Sequence, residues 1–327
     1  KGIWMNFGLI TRYILLILVG SFAGHGFTQS YPDKSVKIIV PYTAGGTADF
    51  SARQIAQKLT EQTKQSFYVE NKAGASGTIA TAFVAKAAPD GYTLLANDTT
   101  YAILPALFKN LPWDHANDFE PIAIITQTPV VLVVPESSPF KSLSALIAYA
   151  KQNPGKLNYG SGGPGSSTHL SAEIFKQVAQ IDISHVPYKG AGEAMLAVLG
   201  GQVDLIITAA PTAIPQLQGE KVRALAVTGS KRLTTASNVP TFKEAGLPSY
   251  IVSNWFGLAA PKGTPQPVIN KISAEVKKGL ADPELRERLI KLGAEPGNVS
   301  PEEFKKFIQK ETILWGAAAK QSGLAPE

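Results

Sequence analysis

One local grammar, used twice, constrains this chain more than any other feature: a short apolar strand, a glycine-rich loop, then an amphipathic helix. Val36-Lys-Ile-Ile-Val40 is an apolar run rich in β-branched residues, and Pro41-Tyr-Thr-Ala-Gly-Gly-Thr-Ala-Asp49 follows it. Apolar residues then return at Ala52, Ile55, Ala56 and Leu59, the spacing of one helix face. Leu157-Asn-Tyr159, the loop Gly160-Ser-Gly-Gly-Pro-Gly-Ser-Ser-Thr168 and a helix from His169 to Val178 repeat the design. The alternation also covers residues 66–70 with 74–86, and 92–96 with 99–108, the latter strand preceded by an Asp90-Gly91 turn. Strands separated by helices pair through crossovers, so a parallel sheet with helices on both faces is predicted, and two similar units predict two lobes.

Further elements fit this reading. Pro129-Val-Val-Leu-Val-Val-Pro135 is a strand and residues 142–150 a helix, which together open the second unit. Residues 203–207 and 224–228 read as buried strands, and Met195 to Leu199 as a helix end closed by Gly200-Gly201. Trp255 to Ala260 is a strand, followed by a turn at 261–265 and a helix over 266–281. Asp282-Pro283 and Ser300-Pro301 open the last two helices. A chain of 327 residues, 44% hydrophobic and 17% charged, has enough apolar surface for two medium domains.

Absences narrow the chemistry. With no cysteine, disulfides, thiolate-bound metals, iron–sulfur clusters and thiol catalysis are excluded. His25, His115, His169 and His185 have neither H-x-x-x-H nor H-E-x-x-H spacing, so no metal and no cofactor is expected. A G-x-S-x-G elbow and a Walker lysine are also missing. The net charge of +6 falls to +4 without the first thirty residues, 29 basic side chains against 25 acidic, and no run of five basic residues occurs. No nucleic-acid partner is therefore expected, although a weak positive field favours small anions.

Residues 1–30 read as a leader: Arg12, the apolar run Tyr13 to Gly20, then small residues through Gly26. The run is shorter than the roughly 20 residues that span a bilayer, and an uncleaved anchor is its alternative reading. Cleavage is expected between Ala23 and Tyr31, Lys1 to Trp4 read as an upstream extension, and the mature protein is expected to be exported.

The two glycine loops are the candidate site. Each ends a strand, lets the backbone approach a ligand and opens a helix whose first N–H groups are unpaired, a geometry that binds anions. The first offers Thr43, Gly45, Gly46 and Thr47, with Tyr42 beside it and Asp49 in the first helical turn as a brace. Ser161, Gly162, Gly163, Ser166, Ser167 and Thr168 come from the second. Neither holds Lys or Arg, which suits a carboxylate met by neutral donors and later released. Tight turns with hydroxyl caps are the structural alternative. Strand ends add Thr99, Tyr101, Thr208 and Ala209, because open α/β sheets collect ligands there. Tyr188 fits cleft or core equally. The scarcity of charge predicts a ligand with an aromatic or short aliphatic body.

Two enzymatic readings compete with this one. Gly160-x-Gly162-x-x-Gly165 matches a dinucleotide fingerprint without the acid that should follow at a strand end. His169 could serve Ser161 or Ser166 as a base, but no orienting acid can be named and no catalytic residue is assigned.

From Tyr31-Pro-Asp-Lys34 to the C terminus the chain resembles the extracytoplasmic solute-binding receptors of the tripartite tricarboxylate transporter family, the Bug-type receptors. The landmarks are Ile39-Val-Pro41 with Ala44-Gly-Gly46 and Asp49, Glu70-Asn-Lys72, Pro89-Asp-Gly-Tyr92, Tyr159-Gly-Ser161 with His169-Leu170, Val186-Pro-Tyr-Lys-Gly190, Leu199-Gly-Gly-Gln202, Val239-Pro-Thr241 and Trp255-Phe-Gly-Leu258. The resemblance implies a two-lobed periplasmic-binding-protein fold of the Venus-flytrap kind, each lobe a mostly parallel sheet flanked by helices, joined by two crossing strands. It implies lobe one over residues 31–131 plus 252–327 and lobe two over 132–251. A ligand carboxylate would be held by residues 43–47 and 161–168, often through water, and closure would follow from contact with both lobes. Integral-membrane transporter subunits are the implied partners, the location is periplasmic, and a monomer without enzymatic activity is expected. The alternatives are an exported α/β hydrolase-like enzyme and a sensor that signals through a membrane partner.

Overall fold

The computed structural model describes residues 31–321, so the expected leader and its cleavage site lie outside the described residues. Strand β1 (Val36–Val40) carries Val36, Ile38, Ile39 and Val40, all inaccessible to solvent, which is why it reads as an unbroken apolar run. It is followed by α1 (Thr47–Thr63), β2 (Phe67–Asn71), α2 (Thr78–Ala85), β3 (Thr93–Asp98) and α3 (Thr99–Leu107). Next come β4 (Phe119–Pro135), α4 (Leu143–Gln152), β5 (Asn158–Ser161), α5 (Ser167–Ala179), β6 (Ser184–Pro187), α6 (Ala191–Leu199) and β7 (Leu205–Ala209). The chain ends with α7 (Ala210–Gln218), β8 (Val222–Val227), β9 (Ser253–Pro261), α8 (Gln266–Leu280), α9 (Pro283–Lys291), β10 (Glu295–Pro296) and α10 (Pro301–Gln321).

The strands run in the order β2-β1-β3-β9-β4-β7-β5-β6, with β8 and β10 pairing onto β4. β1 is parallel to β2 and β3, and β5 is parallel to β6 and β7. These are the two βα units read from the sequence. The sheet as a whole is mixed, because β9 runs antiparallel to β3 and β4, and β4 antiparallel to β7 and β8. The result is a two-lobed α/β fold in which β4 passes from one parallel set to the other and the chain returns at Ser253 into β9.

Two elements differ from expectation for a reason in proline chemistry. β4 begins ten residues earlier than the predicted 129–135 strand, since Pro121 and Pro129 break the apolar pattern. The strand accommodates Pro121 beside a register shift, between Pro121 and Ala123, where a missing N–H costs no ladder bond. The sequence reading also missed α7, which contains Pro211 and Pro215. Pro211 lies in the first turn, whose N–H groups have no helical partner in any case.

Candidate functional site

The carboxyl ends of β1, β3, β5 and β7 border one cavity of about 410 Å³. Such strand ends are where open α/β sheets leave a crevice for ligands. Three helices begin at this cavity without a side-chain cap: α1 after Gly46, α6 after Gly190 and α7 after Ala209. Gly46, Thr47, Ala191 and Ala209 line the space, so the positive ends of three helices converge on it. Among the described residues no Lys or Arg lines it.

Asp49 borders the cavity, yet its carboxylate is already engaged. It accepts from Gly45 N–H at 3.3 Å, Asn71 Nδ2 at 2.9 Å and Arg53 Nε at 3.0 Å. Burial works against its charge, but these bonds and the Arg53 ion pair hold its carboxyl below the usual range. It braces the first loop, the role the sequence suggested.

The second loop is held from within. Gly162 N–H donates to Thr168 Oγ1 at 2.8 Å, and Ser166 donates to Gly163 O at 2.7 Å while capping His169 N–H. Gly162, Ser166, Ser167 and Thr168 line the cavity. Ser161 does not: its Oγ lies 2.5 Å from His185 Nε2 and accepts from Gly163 N–H at 3.0 Å. His185 in turn stacks on His169 at 4.1 Å between ring centroids, and His169 Nδ1 accepts from Gly165 N–H. Burial, then the neighbouring His169, pushes His185 down to about 4, and burial lowers His169 as well, so both rings are neutral at pH 7. The sequence reading paired His169 with Ser161 or Ser166; the structure gives Ser161 to His185 and uses all three to stiffen the loop. Gly163 adopts φ +113, and a Cβ there would sit 3.0 Å from Ser76 Oγ and 3.3 Å from the Tyr188 carbonyl, so its need for glycine is conformational.

Among the strand-end candidates, Thr208 and Ala209 line the cavity and Thr99 and Tyr101 do not. Thr99 Oγ1 accepts from Trp255 N–H at 2.9 Å and ties the start of α3 to β9. Tyr101 donates to His115 O at 2.9 Å and stacks on the His115 ring on the other side of the lobe. Tyr42, Thr43, Gly46 and Thr47 line the space; Gly45 does not, and Tyr188 packs in a core with Val186 and Leu199.

Sequence reasoning missed Ala48, Asp98, Thr100, Ala191, Asn254 and Phe256 as lining residues. Asp98 caps α3 by accepting from Thr100 N–H at 3.1 Å and also accepts from Tyr42 OH at 3.1 Å. Burial raises its carboxyl to about 7 although the bonds from Tyr42 and Thr100 oppose the shift. The signal was present: an Asp between a strand and a helix, followed by Thr-Thr, is an N-cap, and the cap residue sits at the strand end facing the crevice.

Both parallel sets contribute to closing the cavity. Thr43 N–H donates to Lys189 O at 3.4 Å, Thr47 Oγ1 lies 2.8 Å from Thr212 Oγ1, and Ser167 N–H donates to Thr100 Oγ1 at 3.1 Å. Ser76 Oγ also donates to Pro164 O. At Gly192 a Cβ would lie 2.5 Å from Ala44 O, so α6 is seated directly on the first loop. Inside, Thr43 Oγ1, Thr208 Oγ1 and Asn254 Oδ1 are buried without a hydrogen-bond partner. Buried polar atoms are rarely left so, and three around one cavity mark a place for a polar ligand.

Comparison with known proteins bears on this geometry. Residues 51–324 match the sequence model of the tripartite tricarboxylate transporter family receptor. The chain belongs to this receptor family. A protein from R. palustris solved with adipate is 38% identical, with a TM-score of 0.88 over 91% of this chain and 100% of that one. The periplasmic binding protein BugD is 34% identical, with a TM-score of 0.87 over 91% of this chain and 100% of BugD. MatC from Rhodopseudomonas palustris, with bound malate, is 34% identical, with a TM-score of 0.84 over 88% of this chain and 99% of MatC. Among the described residues of this receptor no group of three acidic or histidine side chains is placed to hold a metal, and no helix is long and apolar enough to cross a membrane.

Proposed function

We propose that this receptor captures a small dicarboxylate in the cleft between its two glycine loops and delivers it to integral-membrane transporter subunits. The observation that carries the reading is the convergence of three uncapped helix N-termini on a cavity without Lys or Arg, beside the unpartnered hydroxyls of Thr43 and Thr208. Free N–H groups at positive helix ends recognise an anion, and hydroxyl donors complete its shell without a fixed cation. Tyr42, Thr43, Gly46, Thr47, Gly162, Ser166 to Thr168, Thr208 and Ala209 form the contact surface, with Phe256 and Ala48 against the ligand's apolar body. The malate and adipate of its structural relatives are ligands of this size and charge.

In this reading residues 31–131 with 252–327 form one lobe and 132–251 the other, and ligand contact with both favours the closed state. The protein is a monomer, is exported to the periplasm behind its leader, and performs no catalysis; Ser161 and His185 serve the loop. Thermal unfolding of the chain from Tyr31 onward, against acetate, malate, adipate, citrate, glutamate and ATP, tests it. A ligand at about 100 times its Kd adds roughly 2.7 kcal/mol of stability. Stabilisation by malate or adipate supports the proposal; stabilisation by ATP alone, or by no carboxylate, overturns it.

A further inference from the structure

A second cavity, of about 700 Å³, lies away from the cleft, between the 115–121 segment, β3, β9 and α10. Asn97 lines it, whereas its neighbour Asp98 lines the cleft, because successive side chains of β3 point to opposite faces. The walls are largely apolar, with Tyr101, Phe119 and Ile308 supplying flat and branched surface. At 3% exposure Asn97 is buried, and its Oδ1 has no partner. Both ring nitrogens of His115, which also lines the space, are buried without a partner. Among the described residues Lys305 is the only charged one that lines the space, and it forms no ion pair with any of them.

These features are ordered along the cavity's chemistry. A buried acceptor calls for a ligand that donates a hydrogen bond, apolar walls call for a flat hydrocarbon body, and a free ammonium calls for a negative end. We infer that this cavity is a second binding site, separate from the cleft, for a small aromatic acid carrying a hydroxyl, with the ring against Tyr101, Phe119 and Ile308, the hydroxyl on Asn97 and the carboxylate on Lys305. Burial holds His115 near 4, so the ring is a neutral donor and acceptor at pH 7 and adds no charge of its own.

Isothermal titration with 4-hydroxybenzoate, with benzoate and 4-hydroxybenzyl alcohol as controls, tests the inference on four proteins: the unmodified chain, Lys305→Ala, Thr312→Trp and Gly46→Val. Thr312 lies on the half-exposed face of α10, so a Trp there fills the cavity from its rim. The expected result is binding of 4-hydroxybenzoate that is lost in Thr312→Trp, falls at least tenfold in Lys305→Ala and survives in the cleft variant Gly46→Val. Both controls should bind at least fivefold more weakly. Circular dichroism and thermal unfolding confirm that each variant is folded. No binding at millimolar probe, or binding lost in Gly46→Val and kept in Thr312→Trp, overturns the inference. The second outcome would assign the probe to the cleft and leave the dicarboxylate reading standing.

Discussion

Gly192→Ala is the substitution that separates closure from folding. Gly192 lies in the first turn of α6, where its φ is not in the left-handed region, so alanine is compatible with its backbone and should raise the stability of the ligand-free protein by about 0.4–1 kcal/mol through the unfolded chain. The added Cβ, however, would lie 2.5 Å from Ala44 O, 3.0 Å from Gly45 C and 3.1 Å from Gly46 N. All three are backbone atoms of the first loop and cannot rotate away. Comfortable non-bonded contact for carbon needs roughly 3.5 Å, so α6 and the loop must part by about 1 Å. That displacement stretches the Thr43 N–H to Lys189 O bond beyond its 3.4 Å and strains the 2.8 Å Thr47 to Thr212 contact. At about 1 kcal/mol net for each hydrogen bond, losing both costs about 2 kcal/mol of closure, near thirtyfold in affinity. Titration calorimetry with the dicarboxylate that stabilises the protein, run beside denaturant unfolding of the ligand-free form, reads both numbers. Unchanged affinity would refute the account of closure. Loss of ligand-free stability would instead mean that the α6 contact belongs to the fold.

Three further outcomes are expected. Thr208→Val keeps the side-chain shape and removes an unpartnered buried hydroxyl, so ligand-free stability should hold or rise while affinity falls by about 1.5–3 kcal/mol, as for a hydrogen bond to a charged group; calorimetry showing equal affinity would remove Thr208 from the site. Asp98, raised to about 7 by burial, is half protonated near neutrality, and its ionised form repels a carboxylate in the same cavity. Affinity should therefore fall as pH rises from 6 to 8, and the slope should vanish in Asp98→Asn; a slope that persists in the variant assigns the titration elsewhere. His185 works in the opposite sense on stability. Its folded pKa of about 4 lies below the ordinary 6.5, so the unfolded chain binds more protons between those values. The stabilisation is fully present above pH 6.5 and lost as pH falls toward 4, and urea unfolding of His185→Gln should show a flatter profile across that window.

What could be read from sequence, and what could not, follows from how local each determinant is. The apolar run of β1 and the helical spacing of α1 involve contiguous residues, and the glycine loops after β1 and β5 carry their own turn chemistry, so both were legible. The mixed sheet was not, because the direction of β9 depends on where the chain re-enters from the far set of strands. Pro121 and Pro211 look like breakers until a register shift or a first helical turn accommodates them. Within the site, Thr99 and Thr100 differ by one residue of helical phase: Thr99 turns to Trp255 and Thr100 to Ser167, a distinction that needs the partner elements. Ala191 and Gly192 carried no recognisable signal, since small residues at a helix start become informative only when the first loop is seen lying on them.

If the cleft holds an anion as proposed, its electrostatics account for both capture and release. Each uncapped helix N-terminus contributes about 0.3–1 kcal/mol to anion binding when exposed and up to about 2 when partly buried. Three of them therefore provide attraction comparable to one well-placed cation, but only while all three meet at the ligand. α1 belongs to the parallel set built on β1, and α6 and α7 to the set built on β5 and β7, so opening the lobes divides the attraction at once. A lysine or arginine on either lobe would keep its share in the open state. Asp98 tempers this attraction: burial raises its carboxyl to about 7, so near pH 7 about half of it carries a charge that would repel a carboxylate in the same cavity. On the proposed reading, closure gathers the attraction and opening divides it, so most of the affinity would belong to the closed state.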